Sequence, residues 1–341
     1  MHYLITGHTG FKGAWLSLLL QMQGHKVSGI SLNPQKKSLF NQASLSDIFE
    51  HDIRLDIRDK TQLSKVIESI NPQVIIHLAA QSLVREAYKN PIETFETNVI
   101  GTLNVLEATK AVGNLHATLI VTTDKVYKNH NRLTGYIETD ELGGLDPYSA
   151  SKSAADIAAQ SWIKSFAVSP VAIARAGNVI GGGDWAADRL IPDLVRSYSK
   201  KQLPSIRFPH AIRPWQHVLD CLNGYLTLVN SQLAHGSCGE WNFGPKVEEK
   251  HTVSEVVEIF ARLWGMESHF MVQDLKPQPE ESHYLLLNSK KANESLGWEE
   301  KLDFEAAIQW SSIWYQKCSL PQTSLEVRNF TQSQISNFFS I

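Results

Sequence analysis

Short apolar segments alternate with longer segments of helical periodicity through the first half of the chain. The apolar segments, rich in Val and Ile, predict strands at residues 3–6, 26–32, 52–55, 74–79, 118–123 and 171–176. The segments between them predict helices at residues 13–23, 61–70, 91–112 and 148–166. Strands that are apolar on both faces and alternate with helices indicate a parallel sheet covered by crossover helices. The pattern predicts a doubly wound α/β fold of the Rossmann type, which binds ligands at the carboxyl ends of its strands.

The regular alternation ends after Gly177, where three consecutive glycines open a loop. Helical patterns recur at residues 189–199, 217–230, 252–263 and 304–316, separated by Pro-containing segments. We interpret residues 1–178 as a dinucleotide-binding domain. Residues 179–341 then form mainly a smaller C-terminal substrate-binding lobe, from which a segment at about 212–242 returns to the first domain. The polar tail after Leu320 has no predicted place.

Composition excludes several classes of protein. A formal charge of -3 gives no basic field for nucleic acid or a membrane surface. No apolar stretch approaches the ~20 residues of a membrane helix. The three cysteines lie far apart, without metal-ligand spacing, and read as reduced thiols, so we expect no metal site. The glycine loop begins just after Ile5 and leaves no room for a signal peptide, so a cytoplasmic location is expected.

A glycine-rich loop follows the first predicted strand and opens an apolar helix. Its spacing, GxxGxxG, allows a tight turn, close approach of the backbone to a pyrophosphate, and anion binding at the helix N-terminus. The expected cofactor contacts are Gly7, Thr9, Gly10, Phe11, Lys12 and Gly13. The second strand ends without a carboxylate: Asn33 would bond a ribose hydroxyl, whereas Lys36 and Lys37 would suit a 2′-phosphate. The residues alone therefore leave NAD and NADP open.

Tyr148 and Lys152 form a YxxxK pair at the start of a predicted helix. Residues four apart project from the same helix face, so both side chains should reach one cleft. An adjacent ammonium favours the phenolate, which predicts a lowered pKa for Tyr148 and a role as the base that takes a proton from a sugar hydroxyl. Lys152 would also hold the nicotinamide ribose.

Together these features resemble the extended short-chain dehydrogenases that act on nucleotide sugars. Several long motifs narrow the resemblance to the CDP-glucose branch of the 4,6-dehydratases: HTGFKG from His8, DPYS from Asp146, RAGNVIGGGDW from Arg175, IRPWQHV from Ile212 and WNFGP from Trp241. The resemblance covers the chain to about Tyr315 and implies NAD as the cofactor. It further implies cofactor contacts at the ends of the third, fourth and fifth strands, namely Asp56, Ile57, Leu78, Ala79, Ala80, Gln81 and Thr122.

The segment Thr123-Asp124-Lys125 distinguishes a dehydratase from an epimerase. An epimerase moves only a hydride at C4, whereas a dehydratase must also remove the C5 proton and expel the 6-hydroxyl. The resemblance implies that Thr123 bonds the C4 oxygen, Asp124 donates to the leaving hydroxyl and Lys125 acts at C5.

The resemblance also implies substrate contacts from the second lobe. Asn178 and Arg213 match positions that hold the pyrophosphate, and a guanidinium fork suits that dianion. His283 lies where the family closes the nucleotide pocket. The dTDP branch has an arginine just before this histidine, whereas residues 279–282 here read Pro-Glu-Glu-Ser, which leaves the nucleotide base open.

The function expected from the sequence is conversion of CDP-glucose to CDP-4-dehydro-6-deoxyglucose, within deoxysugar synthesis for surface polysaccharide. One alternative is a nucleotide-sugar 4-epimerase, or a 4,6-dehydratase of another nucleotide sugar. A catalytically silent dinucleotide-binding regulator would share the fold, but it need not retain the acid–base set. The helices at 91–112 and 148–166 are expected to pack against a second copy, giving a homo-oligomer.

Overall fold

The computed structural model describes residues 1–272, 283–319 and 322–341. The strands of this part of the chain are β1 (His2–Thr6), β2 (Lys26–Ser31), β3 (His51–Arg54), β4 (Val74–His77), β5 (Ala117–Val121), β6 (Val171–Ala176), β7 (Val179–Ile180), β8 (Ser205–Ile206), β9 (Gln216–His217), β10 (Gly239–Phe243) and β11 (Met271–Val272). The helices are α1 (Phe11–Met22), α2 (Leu39–Gln42), α3 (Lys60–Ile70), α4 (Val84–Lys89), α5 (Pro91–Phe95), α6 (Gly101–Thr109), α7 (Pro147–Phe166), α8 (Leu190–Tyr198), α9 (Val218–His235), α10 (Val253–Leu263), α11 (Lys290–Leu296), α12 (Phe304–Cys318) and α13 (Ser324–Ser340).

Seven parallel strands form the main sheet in the order β10-β6-β5-β4-β1-β2-β3. Successive residues of β1 face opposite sides: Tyr3 and Ile5 join a core cluster with α1 and α9, whereas Leu4 joins one with α3 and α6. Both faces of the sheet are thus covered, which confirms the predicted doubly wound α/β fold. The chain order reverses between β1 and β4, and such a switch point opens a crevice at the carboxyl ends of the strands.

The helix predicted at residues 91–112 is not regular. It comprises α5, a π turn at Glu96–Ile100, and α6, which ends at Thr109. A π turn accommodates one additional residue and commonly marks a functional site. Here the buried side chain of Asn98 lies in the π turn. The prediction of one uninterrupted helix was therefore wrong, because hydrophobic periodicity does not reveal a local change in hydrogen bonding.

The second half of the chain contributes to both the main sheet and a separate helical layer. Strand β10 pairs in parallel with β6, with Gly239 opposite Ala172, and α9 packs on β5 and β6. Helix α10 packs against α12 and α8, and two short parallel pairs, β7 with β9 and β8 with β11, complete this half. The division into two domains at residue 178 stays a prediction. Among the described residues, no helix has the length and apolar character that crossing a membrane requires.

The C-terminal tail forms the long helix α13, which the sequence had left without a place. Thr323 and Glu326 close a capping box at its start, and the helix packs on α12, α1 and α2. Arg328 donates from Nε to the carbonyl of Ala43 at 2.9 Å and pairs with Asp47 at 2.7 Å. The helix is therefore built into the same core as α1.

Phe338 and Phe339 test this packing, because they are neighbours on α13 with opposite exposure. Phe338 is fully buried, whereas Phe339 is 40% exposed. Phe338→Ala should lower the free energy of unfolding by about 3–5 kcal/mol through lost burial and a cavity. The control, Phe339→Ala, should cost less than about 1 kcal/mol. Urea unfolding measures both, and equal losses would contradict the packing of α13 into the core.

Candidate active site

The glycine loop between β1 and α1 forms a cradle for an anion. Gly7 has a φ of 78°, which favours glycine, and its N–H donates to the Ile30 carbonyl at 2.8 Å. A Cβ atom at Gly7 would lie 2.7 Å from the Ala79 nitrogen. Helix α1 begins after Gly10, which has no side chain that could cap the first N–H groups of the helix. The first N–H groups of α1 therefore have no side-chain cap, which leaves them able to bind an anion such as a dinucleotide pyrophosphate.

Gly13 lets α1 pack closely against this loop. A Cβ atom there would come within 2.2 Å of the Gly7 carbonyl oxygen. The ammonium of the neighbouring Lys12 donates to the hydroxyl of Tyr225 at 3.1 Å, so the charge of Lys12 faces helix α9. Phe11 packs against the core near Gly181. The tight turn and close packing predicted from the glycine spacing are thus present, while the contacts of this loop with a dinucleotide stay a prediction.

The ends of β2 and β3 form the adenosine side of the predicted cofactor site. Thr9 bonds the Ser31 hydroxyl at 2.7 Å, and Asn33 beyond it is exposed. The Lys37 ammonium lies 3.6 Å from the centre of the Trp185 ring, which gives it a partner other than a 2′-phosphate. After β3, Asp56 is paired with Arg58, which lowers its pKa, and the buried Ile57 packs against Gly101.

Asn98 organises the turn that follows β4 and contains Leu78, Ala79, Ala80 and Gln81. Its side-chain oxygen accepts from the Gln81 N–H at 2.9 Å, and its amide donates to the Gln81 carbonyl at 3.0 Å. The same amide donates to the Ser151 hydroxyl at 2.8 Å. Asn98 therefore joins the predicted cofactor turn to the helix of the YxxxK pair. The sequence analysis missed this residue, because the signal for it is the π turn.

Helix α7 presents Tyr148 and Lys152 to the crevice. Asp146 caps the helix, accepting from the N–H groups of Tyr148 and Ser149 at 2.9 and 3.0 Å. Both functional side chains are buried. The Lys152 ammonium donates to the carbonyl of Val121, the last residue of β5, at 3.0 Å. The pair predicted from its spacing is thus brought beside the end of β5.

The protonation of this pair differs from the expectation. Burial raises the pKa of Tyr148 to about 12, although a hydrogen bond with Thr123 opposes the shift. Burial, with the nearby charge of Lys12, lowers the pKa of Lys152 to about 8. The prediction that Lys152 lowers the pKa of Tyr148 was wrong for the cofactor-free protein, because desolvation of the phenolate outweighs every neighbouring group.

Thr123, Asp124 and Lys125 follow β5 and begin a short 3-10 turn, Asp124–Val126. The Thr123 hydroxyl donates to Asp124 Oδ1 at 2.8 Å, and the Lys125 ammonium donates to the same oxygen at 3.3 Å. Asp124 is fully buried, and its Oδ2 has no hydrogen-bond partner in the described part of the chain. A buried carboxylate oxygen without a partner is costly unless a ligand or proton satisfies it. The hydroxyl of Thr122, the residue before Thr123, instead donates a hydrogen bond to Asp156 Oδ2 at 2.9 Å.

The predicted substrate residues come from separate segments. The carbonyl of Asn178 accepts from the Gln216 N–H at 3.1 Å. The largely buried Arg213 donates to the Ile212 carbonyl at 2.9 Å and approaches the His283 carbonyl at 3.4 Å. Arg213 and His283 are thus neighbours, as a shared nucleotide pocket requires. Residues 279–282, whose sequence departs from the dTDP branch, lie outside the described residues.

Arg189 is a further charged residue at the crevice that the sequence analysis missed. It pairs with Asp184 at 2.8 Å and donates to the Ser82 hydroxyl at 3.2 Å. The charge of Asp184 is the chief cause that raises the pKa of Arg189, and the nearby phenol of Tyr148 raises it further. The guanidinium of Arg189 therefore stays charged. Its position links the loop after β7 to the turn after β4.

The glycine cradle, the Tyr148–Lys152 pair and the doubly wound sheet are features of the NAD-dependent enzymes that have a short-chain-dehydrogenase-like fold. Residues 4–310 match the family model described as GDP-mannose 4,6 dehydratase, and the chain belongs to this family. A CDP-glucose 4,6-dehydratase of Salmonella typhimurium is 43% identical over 326 residues, which cover 91% of this chain and 90% of that protein.

Solved structures share the whole fold. The dTDP-glucose 4,6-dehydratase of Bacillus anthracis, in complex with NAD, gives a TM-score of 0.78 at 26% identity and covers 93% of this chain and 97% of that one. A UDP-glucose-4-epimerase of Stenotrophomonas maltophila, with bound NAD, gives 0.81 at 19% identity, covering 94% and 99%. The second likeness concerns the fold alone. Because a dehydratase and an epimerase share this fold, the fold alone does not distinguish the two reactions.

The raised pKa of Tyr148 predicts that its phenol stays protonated in the cofactor-free protein. Tyrosinate absorbance followed by spectrophotometric titration should give the same curve for the wild type and Tyr148→Phe up to about pH 10. A tyrosinate signal that appears near neutral pH in the wild type and is missing in the variant would show that desolvation does not dominate.

Proposed function

We propose that this protein converts CDP-glucose to CDP-4-dehydro-6-deoxyglucose with NAD as a catalytic carrier. One observation supports this proposal above the others: the fully buried Asp124 at the end of β5, with a carboxylate oxygen left unpartnered beside Tyr148 and Lys125. A 4-epimerase has no use for this acid. A dehydratase needs it, because hydroxide is a poor leaving group unless it is protonated as it departs.

The first step is oxidation at C4. NAD, when bound, accepts the hydride from C4 and later returns it to C6. Tyr148 takes the proton of the C4 hydroxyl as phenolate, while Thr123 hydrogen-bonds the same oxygen. The positive charges of Lys152 and of a bound nicotinamide ring would favour that phenolate against the desolvation that raises its pKa. Lys152 contributes in two ways: it is buried on the same helix face as Tyr148, and its pKa of about 8 allows it to bind or release a proton near neutral pH.

The second step removes water across C5 and C6. Lys125 first passes a proton to Asp124, to which it is hydrogen-bonded at 3.3 Å, so that the pair becomes an amine and a carboxylic acid. The C4 ketone acidifies the C5 proton, which passes to the Lys125 amine. The C6–O bond then breaks as Asp124 donates its proton from Oδ2 to the departing hydroxyl, so that water leaves and a C5–C6 double bond remains. A hydride at C6, which the bound reduced cofactor would supply, and a proton at C5, returned by Lys125, complete the product. The proton that Tyr148 took from the C4 hydroxyl then restores the Asp124–Lys125 pair. Thr123 and Lys125 both bond Asp124 Oδ1, which leaves Oδ2 to carry the proton.

The choice of CDP-glucose and NAD rests on the relatives. The 43% identity to a protein named CDP-glucose 4,6-dehydratase supports the cytidine nucleotide, and the NAD complex of the B. anthracis enzyme supports the cofactor. Asn33 offers a neutral contact for a ribose hydroxyl, while the Lys37 ammonium lies over the ring of Trp185.

We propose that Asn178, Arg213 and His283 bind the nucleotide. A silent regulator is disfavoured, because it would not need a buried Asp124.

A second copy of the chain is the proposed partner. The helical run α5–α6 and helix α7, which pack against each other, leave large apolar side chains exposed: Ile92, Phe95, Ile100, Ile157 and Phe166. Exposed apolar clusters of this kind favour association. We propose a homo-oligomer, acting in the cytoplasm.

Asp124→Asn tests the proposal, since the amide keeps the shape of the carboxylate but has no proton to transfer. The variant should still oxidise C4 and exchange the C5 proton with deuterated solvent. Water loss should slow by about 10²–10⁴-fold. Product mass and absorbance of the reduced cofactor in a single turnover measure the two steps separately.

The matched control is Asp193→Asn, which alters a partly exposed aspartate of α8 that pairs with Arg196. This control variant should dehydrate CDP-glucose at the wild-type rate. In a separate comparison of substrates, the wild type should prefer CDP-glucose to the dTDP, UDP and GDP sugars. Wild-type dehydration by Asp124→Asn would remove Asp124 as the acid. A wild type that yields only the C4 epimer would overturn the dehydratase assignment.

A further inference from the structure

The turn that carries Asp124 and Lys125 is held at both ends by hydrogen bonds. On its N-terminal side the Thr122 hydroxyl donates to Asp156 Oδ2 at 2.9 Å. On its C-terminal side the Tyr127 hydroxyl accepts from Arg175 Nη1 at 2.9 Å. The two anchors, Asp156 and Arg175, are themselves bonded to each other. One pair of side chains thus fixes both ends of the turn.

Asp156 and Arg175 form a fully buried, two-pronged ion pair. Arg175 Nη2 and Nε donate to the two Asp156 oxygens at 2.7 and 2.9 Å. Gln160 adds a donor to the carboxylate at 2.8 Å, and the Glu138 carbonyl accepts from Arg175 at 2.9 Å. Burying two charges is unfavourable unless the geometry is good and the remaining polar atoms are satisfied, as they are here. Such a pair resists displacement.

The same pair is tied to the oxidation residues through helix α7. Asp156 lies one turn beyond Lys152 and two turns beyond Tyr148, so the three side chains share a helix face. Arg175 is on β6, and the hydroxyl of Tyr127 continues to Asn242 on β10 at 2.7 Å. The helix, two strands and the turn therefore meet at this ion pair.

We propose that Asp156 and Arg175 are positioning residues that hold the Asp124–Lys125 turn in register with Tyr148 and Lys152. This inference rests on the proposed dehydration, because only that reaction uses both groups on one sugar. Neither residue touches the reacting atoms. Their effect is to keep the acid of the turn at a fixed distance from the base of the helix.

The two reaction steps should respond differently when the turn is loosened. Thr123 lies next to Thr122, which follows β5 directly and forms the first tie, whereas Asp124 and Lys125 lie toward the second tie at Tyr127. Loss of that tie should displace the dehydration groups more than the oxidation groups. A displacement of about 1 Å at reacting groups costs up to about 10²-fold in rate.

Tyr127→Phe removes the second tie and leaves the ring in place. The control is Tyr136→Phe, since Tyr136 is buried, stacks on Tyr127 with ring centroids 5.1 Å apart, and directs its hydroxyl to Asn129 at 2.9 Å. In single turnovers with NAD and CDP-glucose, Tyr127→Phe should slow water loss about 10- to 100-fold. C4 oxidation and the KM for CDP-glucose should stay within about twofold of the wild type, and reduced cofactor should accumulate. Tyr136→Phe should match the wild type.

Equal behaviour of the two variants, or equal slowing of oxidation and water loss in Tyr127→Phe, would overturn the positioning role. A wild type that does not dehydrate CDP-glucose would instead contradict the proposed function, so the two failures are distinguishable. If Tyr127→Phe does not fold by circular dichroism, Arg175→Lys carries the same test, because lysine keeps a positive charge beside Asp156 but lacks the guanidinium fork that also reaches the Tyr127 hydroxyl. It should also accumulate reduced cofactor, and a wild-type ratio of the two rates would overturn the role.

Discussion

The parallel direction of all seven strands in the main sheet determines where the chemistry lies. Because the strands run the same way, the ends of β1, β4 and β5 meet at one edge of the sheet. The glycine cradle, the Asn98-bound turn and the Thr123–Asp124–Lys125 segment follow these strands in turn. Segments distant in the sequence are thus brought to one crevice by backbone hydrogen bonding, and side chains need only adjust their local positions.

Burial then decides the protonation of the groups at that edge. Desolvation raises the pKa of Tyr148 and lowers that of Lys152, so the cofactor-free protein holds the two groups closer to neutral than their free forms. Asp124 is buried with one oxygen satisfied and the other without a partner in the described residues.

Local sequence predicted the parts of the site whose geometry is local. The spacing of Gly7, Gly10 and Gly13 determines the cradle, and the four-residue spacing of Tyr148 and Lys152 determines a shared helix face. Features that depend on tertiary contacts could not be predicted in this way. Asn98 depends on a π turn, Arg175 meets Asp156 only across the fold, and α13 finds its place only through contacts such as that of Arg328 with Ala43. The direction of the Tyr148 pKa shift was wrong for the same reason, since burial is a tertiary property.

A single labelled substrate tests most directly whether the hydride removed from C4 returns to C6 of the same sugar. CDP-glucose carrying deuterium at C4 is incubated with the protein and NAD, and the product is analysed by mass and by NMR. We predict a product that has lost water and carries the deuterium at C6, with no net accumulation of NADH. Deuterium found at C4 of an epimer, or lost from the sugar into NADH formed in proportion to product, would contradict it.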